Sequence, residues 1–283
     1  MGHKNKKSLI RQVQDRLDSI LAIGQSKHQD KKEGITGGKI YSWGTYKAYL
    51  QQCCQFARYC RDNHHCKNLA DCRQYVQEWM KSREDLSAYT LKLSASALYK
   101  LYGESQEELG ITTKRAARSE ITRSRGTAKR DSHFSEEKNA EFVEFCRSTG
   151  LRRSEITKLR GDQLIERDGE YCIETTGKGG RFRVITICGN VELVIGKMKE
   201  AGTEKVWKKI PSNADIHSYR ADYATRIYLK YARPIEEIPR KERYICRKDK
   251  AGIVYDRKAM LETSRALGHN RVDVVAQHYL RMD

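Results

Sequence analysis

The sequence predicts a mainly α-helical protein of two domains, with a small β-hairpin in the second. Ahead of residue 105, apolar residues recur at helical spacing and no stretch alternates like a strand. Between Thr112 and Arg130 large apolar residues nearly vanish, and beyond this stretch two β-patterned runs flank a glycine-rich turn. We therefore predict three parts: an all-helical domain over residues 1–110, a basic linker over 111–132 and an α+β domain over 133–283.

The charge balance indicates an acidic partner. The 283 residues include 55 lysines and arginines against 37 aspartates and glutamates, which gives a net charge of +18. An excess of this size favours a polyanion, and nucleic acid is a better candidate than an anionic membrane surface. No apolar run approaches the ~18 residues of a spanning helix, and no signal peptide is evident. We expect a soluble, cytoplasmic protein without membrane contact.

Apolar positions predict four helices in the first domain. In chain order they carry Leu9 to Leu21, Trp43 to about Arg61, Tyr75 to Met80 and Leu91 to Tyr102, and a glycine-rich polar stretch follows the first. Lysines and arginines occupy many of the outward positions. This pattern is typical either of a solvated face or of a surface that grips phosphates.

The nine cysteines lack the spacing of a disulfide framework, which indicates reduced thiols. One cluster, formed by Cys60, His64, His65, Cys66 and Cys72, leaves a zinc site open, although no CxxC pair is present. Cys60 shares its helical spacing with nearby aromatic residues, so one face of a helix is the better explanation. We predict neither a metal site nor a cofactor.

The linker is predicted to lie along a DNA backbone. From Thr112 to Arg130 it has a single acid, Glu120, and few large apolar residues, as expected of an exposed segment that contacts phosphates. Its seven basic residues, the predicted DNA-binding set, are Lys114, Arg115, Arg118, Arg123, Arg125, Lys129 and Arg130.

Two predicted helices meet beside Arg152. A helix that starts at Ser135 is expected to stop at Gly150, because glycine can take the left-handed conformation that ends helices. The next helix begins at Leu151, so Arg152 lies in its opening turn, where backbone amides also face an anion. Arginine clamps two phosphate oxygens at once, and Glu155 is close enough to orient it. The plainer alternative is a surface arginine in an ion pair.

The only clear β pattern in the sequence is a hairpin. Residues 171–175 and 182–187 read as strands and flank the turn Gly177-Lys178-Gly179-Gly180. A lysine at a hairpin tip is usually only solubilising, but these glycines would let Lys178 approach a ligand closely. The turn is not a P-loop, because the GxxxxGK[ST] spacing is absent.

Three further candidates, His217, Arg220 and His269, precede a tyrosine near the C-terminus. His217 and Arg220 are three residues apart on one helix face, where a capping histidine is the ordinary alternative. His269 ends the tripeptide Leu-Gly-His, and Tyr279 follows it in a position where a tyrosine is more often packing.

Together the candidates suit attack by a tyrosine on a phosphodiester. Phosphoryl transfer needs charge stabilisation around an in-line displacement, and two arginines and a lysine can provide it without metal. A covalent intermediate conserves the bond energy for rejoining the strand. No carboxylate cluster suggests a magnesium-dependent nuclease.

The ordered motifs resemble the tyrosine recombinase (phage integrase) family, in particular its two-domain Cre/Xer-like and mobile-element integrases. The resemblance rests on Thr-Gly-Leu-Arg-x-Ser-Glu, Gly-Lys-Gly, His-x-x-Arg, and Leu-Gly-His with a tyrosine ten residues on, and it covers residues 135–283. It implies that Tyr279 is the nucleophile and forms a 3′-phosphotyrosyl link. The other implied roles are phosphate binding by Arg152 and Arg220, protonation of the leaving 5′-oxygen by Lys178, assistance to proton transfer by His217, steadying of the phosphate by His269 and support by Glu155.

The resemblance also implies an architecture and a biological setting. The architecture is a helical, SAM-like core-binding domain followed by an α+β catalytic domain. The setting is a homotetramer in a synaptic complex, with a monomer as one option for the free protein, recombining specific sites in double-stranded DNA at a bacterial nucleoid. Two alternatives stay open, a type IB topoisomerase-like enzyme and a non-cleaving DNA-binding regulator. A long segment between Arg220 and His269 departs from compact family members, and residues 234–255 within it suggest an added hairpin.

Overall fold

The computed structural model of the chain describes residues 7–116, 134–177, 180, 182–247, 250–269 and 271–280. The chain forms two compact units, Met1–Thr122 and Arg123–Asp283. Most of the predicted linker lies outside the described residues, so its boundaries stay a prediction. No helix in the described part of the chain combines the length and apolarity needed to cross a membrane.

The described part of the first unit is built from six α-helices. They are α1 (Leu9–Asp18), α2 (Lys27–Lys32), α3 (Trp43–His64), α4 (Leu69–Cys72), α5 (Val76–Lys81) and α6 (Ala88–Tyr102). Serine caps four of them, because the hydroxyls of Ser8, Ser26, Ser42 and Ser87 each accept a hydrogen bond from a first-turn amide. The four predicted helices are confirmed. Of the two unpredicted ones, α2 has six residues and none of them is apolar, and α4 is a single turn of four residues.

The core of the first unit encloses its cysteines. Cys60 and Cys72 are fully buried in one apolar cluster, which for Cys60 is what the helix-face interpretation predicts. His64 stacks on Tyr75 with ring centroids 3.6 Å apart and lies 3.0 Å from a carboxylate oxygen of Glu78. Among the described residues no three histidine, cysteine or acidic side chains group as metal ligands do.

The second unit combines helices with two small antiparallel sheets, so the predicted fold class is confirmed. The described helices are α7 (Ala140–Thr149), α8 (Arg153–Ile156), α9 (Val191–Ala201), α10 (Ile216–Tyr231), α11 (Arg257–Ala266) and α12 (Val272–His278). The described strands are β1 (Leu164–Arg167), β2 (Glu170–Thr176), β3 (Phe182–Thr186), β4 (Arg243–Ile245) and β5 (Val254–Asp256). The first sheet has the order β1-β2-β3, in which β2 and β3 form the predicted hairpin.

Gly150 joins α7 to α8 and lets α10 pack beside them. Its φ of +58° is the left-handed conformation that ends α7, and its amide donates to the carbonyl of Cys146. A Cβ atom at Gly150 would lie 2.2 Å from the ring of Tyr223, which is fully buried on α10. Glycine is therefore required twice at this position, for the backbone turn and for the close approach of α10.

The predicted added hairpin is the second sheet. Strands β4 and β5 pair from Arg243 opposite Asp256 to Ile245 opposite Val254. The carboxylate of Asp256 is fully buried and accepts two hydrogen bonds, of 2.7 and 2.9 Å, from the guanidinium of Arg233. Chiefly through these bonds, Arg233 lowers the pKa of Asp256 to about 2. The ion pair therefore fixes the base of the hairpin to the segment that follows α10.

Candidate active site

The hydroxyl of Tyr279 lies at the centre of a cationic site in the second unit. The tyrosine follows α12 directly and is only 5% exposed. Its oxygen is 3.2 Å from Nε2 of His269 and 3.5 Å from Nε of Arg220. The ring of His217 lies 5.4 Å from its ring, centroid to centroid. The chain thus brings His217 and Arg220 of α10 together with His269 and Tyr279 near the C-terminus, as the motifs predict.

Arg220 is the buried cation of the site. It projects from the second turn of α10 and is only 1% exposed. Its guanidinium donates to the carbonyls of Gly150 and Leu267 as well as to Tyr279, which fixes its orientation. Burial, which disfavours the charged form, lowers the pKa of Arg220 below its ordinary value. A buried cation held only by neutral oxygens has a strong electrostatic attraction for an anion.

Arg152 is the more exposed arginine of the site, with a side chain that is 28% exposed. It caps α8, where its amide and its guanidinium donate separately to the two carboxylate oxygens of Glu155, each at 2.7 Å. The guanidinium also donates to the carbonyl of Leu267, at 3.2 Å. Because Arg220 donates to the same carbonyl, the backbone at Leu267 holds both arginines together. The expected orientation of Arg152 by Glu155 is observed.

Arg183 is a third arginine of the site, and the sequence analysis did not identify it. It lies on β3, is 8% exposed, and donates to Glu155 at 2.7 Å and to the carbonyl of Ala266 at 3.1 Å. Burial first, and then the positive charges of Arg220 and Arg152, lower the pKa of Arg183 to about 10. The sequence feature that could have identified Arg183 is the alternation of β3, which places this arginine on the buried face of the strand, between apolar neighbours.

Gly268 makes the approach of Arg183 possible. It has φ of +67°, and a Cβ atom there would lie 2.9 Å from Cδ of Arg183. The turn continues with the amide of His269, which donates to the carbonyl of Ser264 at 2.8 Å. The Leu-Gly-His motif therefore has three functions. The carbonyl of Leu267 binds Arg152 and Arg220, Gly268 leaves space for Arg183, and the backbone hydrogen bond of His269 fixes that histidine.

His269 is held in its neutral form. Burial, followed by the charges of Arg220, Arg152 and Arg183, lowers the pKa of His269 to about 4. At neutral pH its Nε2 atom is therefore either an acceptor for the phenolic proton of Tyr279 or a donor to the phenolic oxygen, according to the tautomer.

Glu155 remains ionised although it is buried. Burial by itself would raise the pKa of Glu155, but the charge of Arg183 and the hydrogen bonds from Arg152 outweigh it and lower the pKa. The carboxylate is 4% exposed and is shared between the two guanidiniums. It therefore couples β3 to α8 across the site.

An open groove borders these residues. Its volume is about 1040 Å³, and its lining includes Arg152, Arg153, Lys158, His217 and Arg220. The full lining of twelve residues carries four arginines and lysines against one acid, Asp215, so the groove suits a polyanionic strand.

The competing tyrosines of α10 are engaged elsewhere. The hydroxyl of Tyr219 donates to Glu136, and that of Tyr223 donates to the carbonyl of Thr186. The hydroxyl of Tyr228 accepts from the amide of Asp256. None of these three hydroxyls has a described hydrogen bond to Arg220 or His269, whereas Tyr279 contacts both.

Several predicted residues lie outside the described part of the chain. Lys178, the predicted proton donor, is one of them, although its flanking strands β2 and β3 are described. In the basic linker, Lys114 and Arg115 are described, and Lys114 donates to the carbonyl of Glu84. The other predicted linker residues, Arg118, Arg123, Arg125, Lys129 and Arg130, lie outside the described residues.

The fold of the chain is that of the tyrosine recombinases. The XerH site-specific recombinase, solved with its palindromic difH substrate after cleavage, matches with a TM-score of 0.56 at 16% identity, over 97% of this chain and 91% of that one. The Tn1549 transposon integrase, solved with circular intermediate DNA, matches with a TM-score of 0.47 at 12% identity, over 98% of this chain and 96% of that one. No protein-family model and no curated protein matches the sequence.

Proposed function

We propose that the protein is a site-specific DNA recombinase that cleaves and rejoins DNA through a 3′-phosphotyrosyl intermediate. The observation that carries the proposal is the hydroxyl of Tyr279, which is held within 3.5 Å of both Arg220 and His269. The ordered motifs and the fold shared with XerH support the same conclusion. A non-cleaving regulator would not need the hydroxyl of Tyr279 beside Arg220 and His269, so this arrangement favours the recombinase over the regulator.

The proposed reaction is an in-line displacement at phosphorus. The phenolic oxygen of Tyr279 forms a bond to phosphorus, and the bond to the 5′-oxygen of the next nucleotide breaks. Arg152 and Arg220 stabilise the charge that grows on the non-bridging oxygens, and the burial of Arg220 strengthens its part of this interaction. Reversal by a free 5′-hydroxyl restores the phosphodiester and releases the tyrosine, so no external energy source is needed.

Two proton transfers accompany this displacement. The phenolic proton must leave Tyr279, and neutral His269 is within reach to accept it or to orient the hydroxyl. His217 assists in proton transfer, and His269 steadies the phosphate once the bond to phosphorus forms. Lys178 donates a proton to the departing 5′-oxygen, because an alkoxide is a poor leaving group without one.

The proposed substrate is double-stranded DNA that carries specific recombination sites. XerH and the Tn1549 integrase are solved in complex with DNA, and the charge of +18 suits the same class of partner. In the proposed assembly four copies of the chain meet at a synapse of two sites, in the bacterial cytoplasm at the nucleoid. The basic residues of the linker then contact the phosphate backbone. Integration or excision of a mobile element is the corresponding biological role.

Capture of a covalent complex tests the proposal. A DNA fragment with a nick beside the cleavage position traps the intermediate, which appears as a protein–DNA band on a denaturing gel in the presence of EDTA. Tyr279→Phe should bind the DNA normally and form no adduct, while Tyr219→Phe, the matched control, should form it. An adduct that survives Tyr279→Phe would refute the assigned nucleophile. Relaxation of supercoiled DNA that lacks paired sites would instead indicate the topoisomerase-like alternative.

A substrate with sulfur in place of the bridging 5′-oxygen tests the role of Lys178. The thiolate leaving group has a pKa near 8.5 and needs no proton donor. Lys178→Ala should therefore cleave normal DNA about 10²–10⁴-fold more slowly and recover much of its rate on the sulfur substrate. Arg152→Ala should stay slow on both substrates. Equal impairment of Lys178→Ala on both would show that this lysine positions the phosphate instead.

A further inference from the structure

The added hairpin makes a direct contact with the element that carries the nucleophile. The ammonium of Lys250, between β4 and β5, donates to the carbonyls of Ala276 and Leu280, each at 2.9 Å. These two carbonyls bracket Tyr279 in the sequence, the first three residues before it and the second one residue after it. One ammonium therefore holds the backbone on both sides of the tyrosine.

The end of α12 is irregular where Lys250 binds. The amides of Tyr279 and Leu280 both donate to the carbonyl of Val275, at 3.0 and 3.1 Å. In a continuing helix the amide of Leu280 would bond the carbonyl of Ala276, and here the ammonium of Lys250 bonds it instead. A cation at the C-terminus of a helix also interacts favourably with the partial negative charge there. Both effects hold the helix end in the conformation that directs Tyr279 into the site.

The hairpin is itself firmly attached to the second unit. Cys246 and Tyr255 are 5% and 2% exposed and belong to the same apolar core as Tyr279. The amide of Cys246 donates to the carbonyl of Ile253, and that of Ile253 donates to the carbonyl of Lys250, which forms a turn over residues 250–253. Lys250 therefore extends from a well-anchored support, so its contact can restrain α12.

We propose that Lys250 is a positioning residue for Tyr279, through which the added hairpin locks the nucleophile beside Arg220 and His269. The proposal rests on the proposed function, because positioning matters only if Tyr279 attacks DNA. Lys250 touches no reacting atom. Its removal should therefore slow formation of the covalent adduct without weakening DNA binding, since the tyrosine then spends less time aligned with the phosphate.

The test compares Lys250→Met, which keeps the apolar stem but loses the donors, with Lys241→Met at an exposed position of the same insertion. Adduct formation on nicked DNA is followed in a single turnover, and DNA affinity is measured separately. Lys250→Met should slow the adduct by about tenfold or more at unchanged affinity, because it removes two hydrogen bonds from a charged donor. Lys250→Arg should restore much of the rate, and Lys241→Met should match the wild type.

Amide hydrogen exchange supplies a second measurement that does not depend on DNA cleavage. A peptide that covers residues 272–280 should exchange about tenfold faster in Lys250→Met than in Lys241→Met, with no change in the peptides of α7 or α10. If exchange and adduct rate in Lys250→Met match those of the control, or if adduct rate and DNA affinity fall together, the positioning role is refuted. If the wild type forms no adduct with any DNA, the proposed function fails, and the exchange measurement still decides whether Lys250 restrains α12.

Discussion

Two ionic networks in the second unit differ in their balance of charge. At the base of the added hairpin, Asp256 and Glu242 are matched by Arg233 and Lys258. In the site around Tyr279, by contrast, the only carboxylate of the described network, Glu155, is shared by two arginines, and Arg220 adds a third cation bonded to neutral oxygens. The first network is neutral as it stands, and the second has an excess of positive charge.

The difference separates a structural ion pair from a binding site. A buried charge costs free energy unless it is paired, and the charges of the balanced network are paired. Even Oε2 of Glu242, which is buried without a hydrogen bond to the described part of the chain, lies 2.8 Å from a guanidinium nitrogen of Arg233. In the cation-rich network, by contrast, the buried charges are not fully paired. Nε of Arg183 is buried without a hydrogen-bond partner among the described residues, and the pKa of both Arg183 and Arg220 is lowered. An anion in the site would offset the excess of positive charge in this network, and a phosphodiester is such an anion.

The largest expected effect comes from removing one arginine from each network. Arg220→Ala should slow adduct formation by about 10²–10³-fold, because a preorganised donor to the phosphate is lost. Its effect on stability should be the smaller of the two, because removing an unbalanced buried charge offsets part of what its hydrogen bonds contribute. Arg233→Ala should lower the free energy of unfolding, because it leaves the carboxylate of Asp256 buried without its partner, and should leave the adduct rate of the folded protein nearly intact. Denaturant titration and single-turnover cleavage measure the two quantities. If Arg233→Ala slowed the adduct more than Arg220→Ala did, and Arg220→Ala cost more stability, charge balance would not distinguish the two networks.

Arg183 should have an intermediate effect, because it acts through its neighbours. Arg183→Met removes one of the two arginines that hold Glu155, and Glu155 then orients Arg152 less well. We expect adduct formation to slow by about 10–10²-fold, the scale on which small misplacements act. In an Arg152→Ala background the same change should add little, since the residue that it positions is gone. Fully additive effects would mean that Arg183 contacts the phosphate independently. The exposed Arg167→Met is the control.

Much of this site could be predicted from the sequence because its residues fall in short ordered motifs. Arg152, Arg220, His269 and Tyr279 come together as the motifs predict. Arg183 was missed for a physical reason, since a lone arginine in a strand shows no local sign of the carboxylate that it meets across the fold.

The contact of Lys250 with α12 could not be predicted either. It requires the register of β4 and β5 and the irregular end of α12, and neither is encoded in a local pattern. Strand β1 was not predicted because only two of its four residues are apolar. The helices of the first unit were predictable because their apolar periods run over two turns or more, as in α1, α3 and α6.

A smaller effect is expected from free anions. Phosphate or vanadate should raise the melting temperature of the protein even without DNA, because each fills the cation-rich site. At about ten times its dissociation constant, an anion adds about 1.4 kcal/mol, or about 2–4 °C in a protein of this size. Chloride at equal ionic strength corrects for general screening. Arg152→Ala should lose most of the shift while Arg233→Lys keeps it, and an equal shift in both would place the anion elsewhere.

The finest distinction between the networks is their response to acid. The pKa of His269 is about 4 in the folded protein against an ordinary 6.5, so the unfolded chain binds the proton first as pH falls. Stability should therefore decline from pH 6.5 towards pH 4 on account of this residue. Asp256, with a pKa of about 2 against 3.8, acts in a lower window. Its contribution is complete above pH 3.8 and is lost as pH falls towards 2.

Chemical unfolding at several pH values between 7 and 4 can isolate the contribution of His269. His269→Gln should have a flatter stability profile than the wild type between pH 6.5 and 4, because glutamine does not titrate, and both should decline alike below that range. Bound phosphate should also flatten the wild-type profile, since an anion beside the imidazole raises its pKa towards the ordinary value. Parallel profiles for the two proteins would mean that burial and the three arginines together do not suppress protonation of His269. The cation-rich network would then lack the field that the proposed chemistry requires.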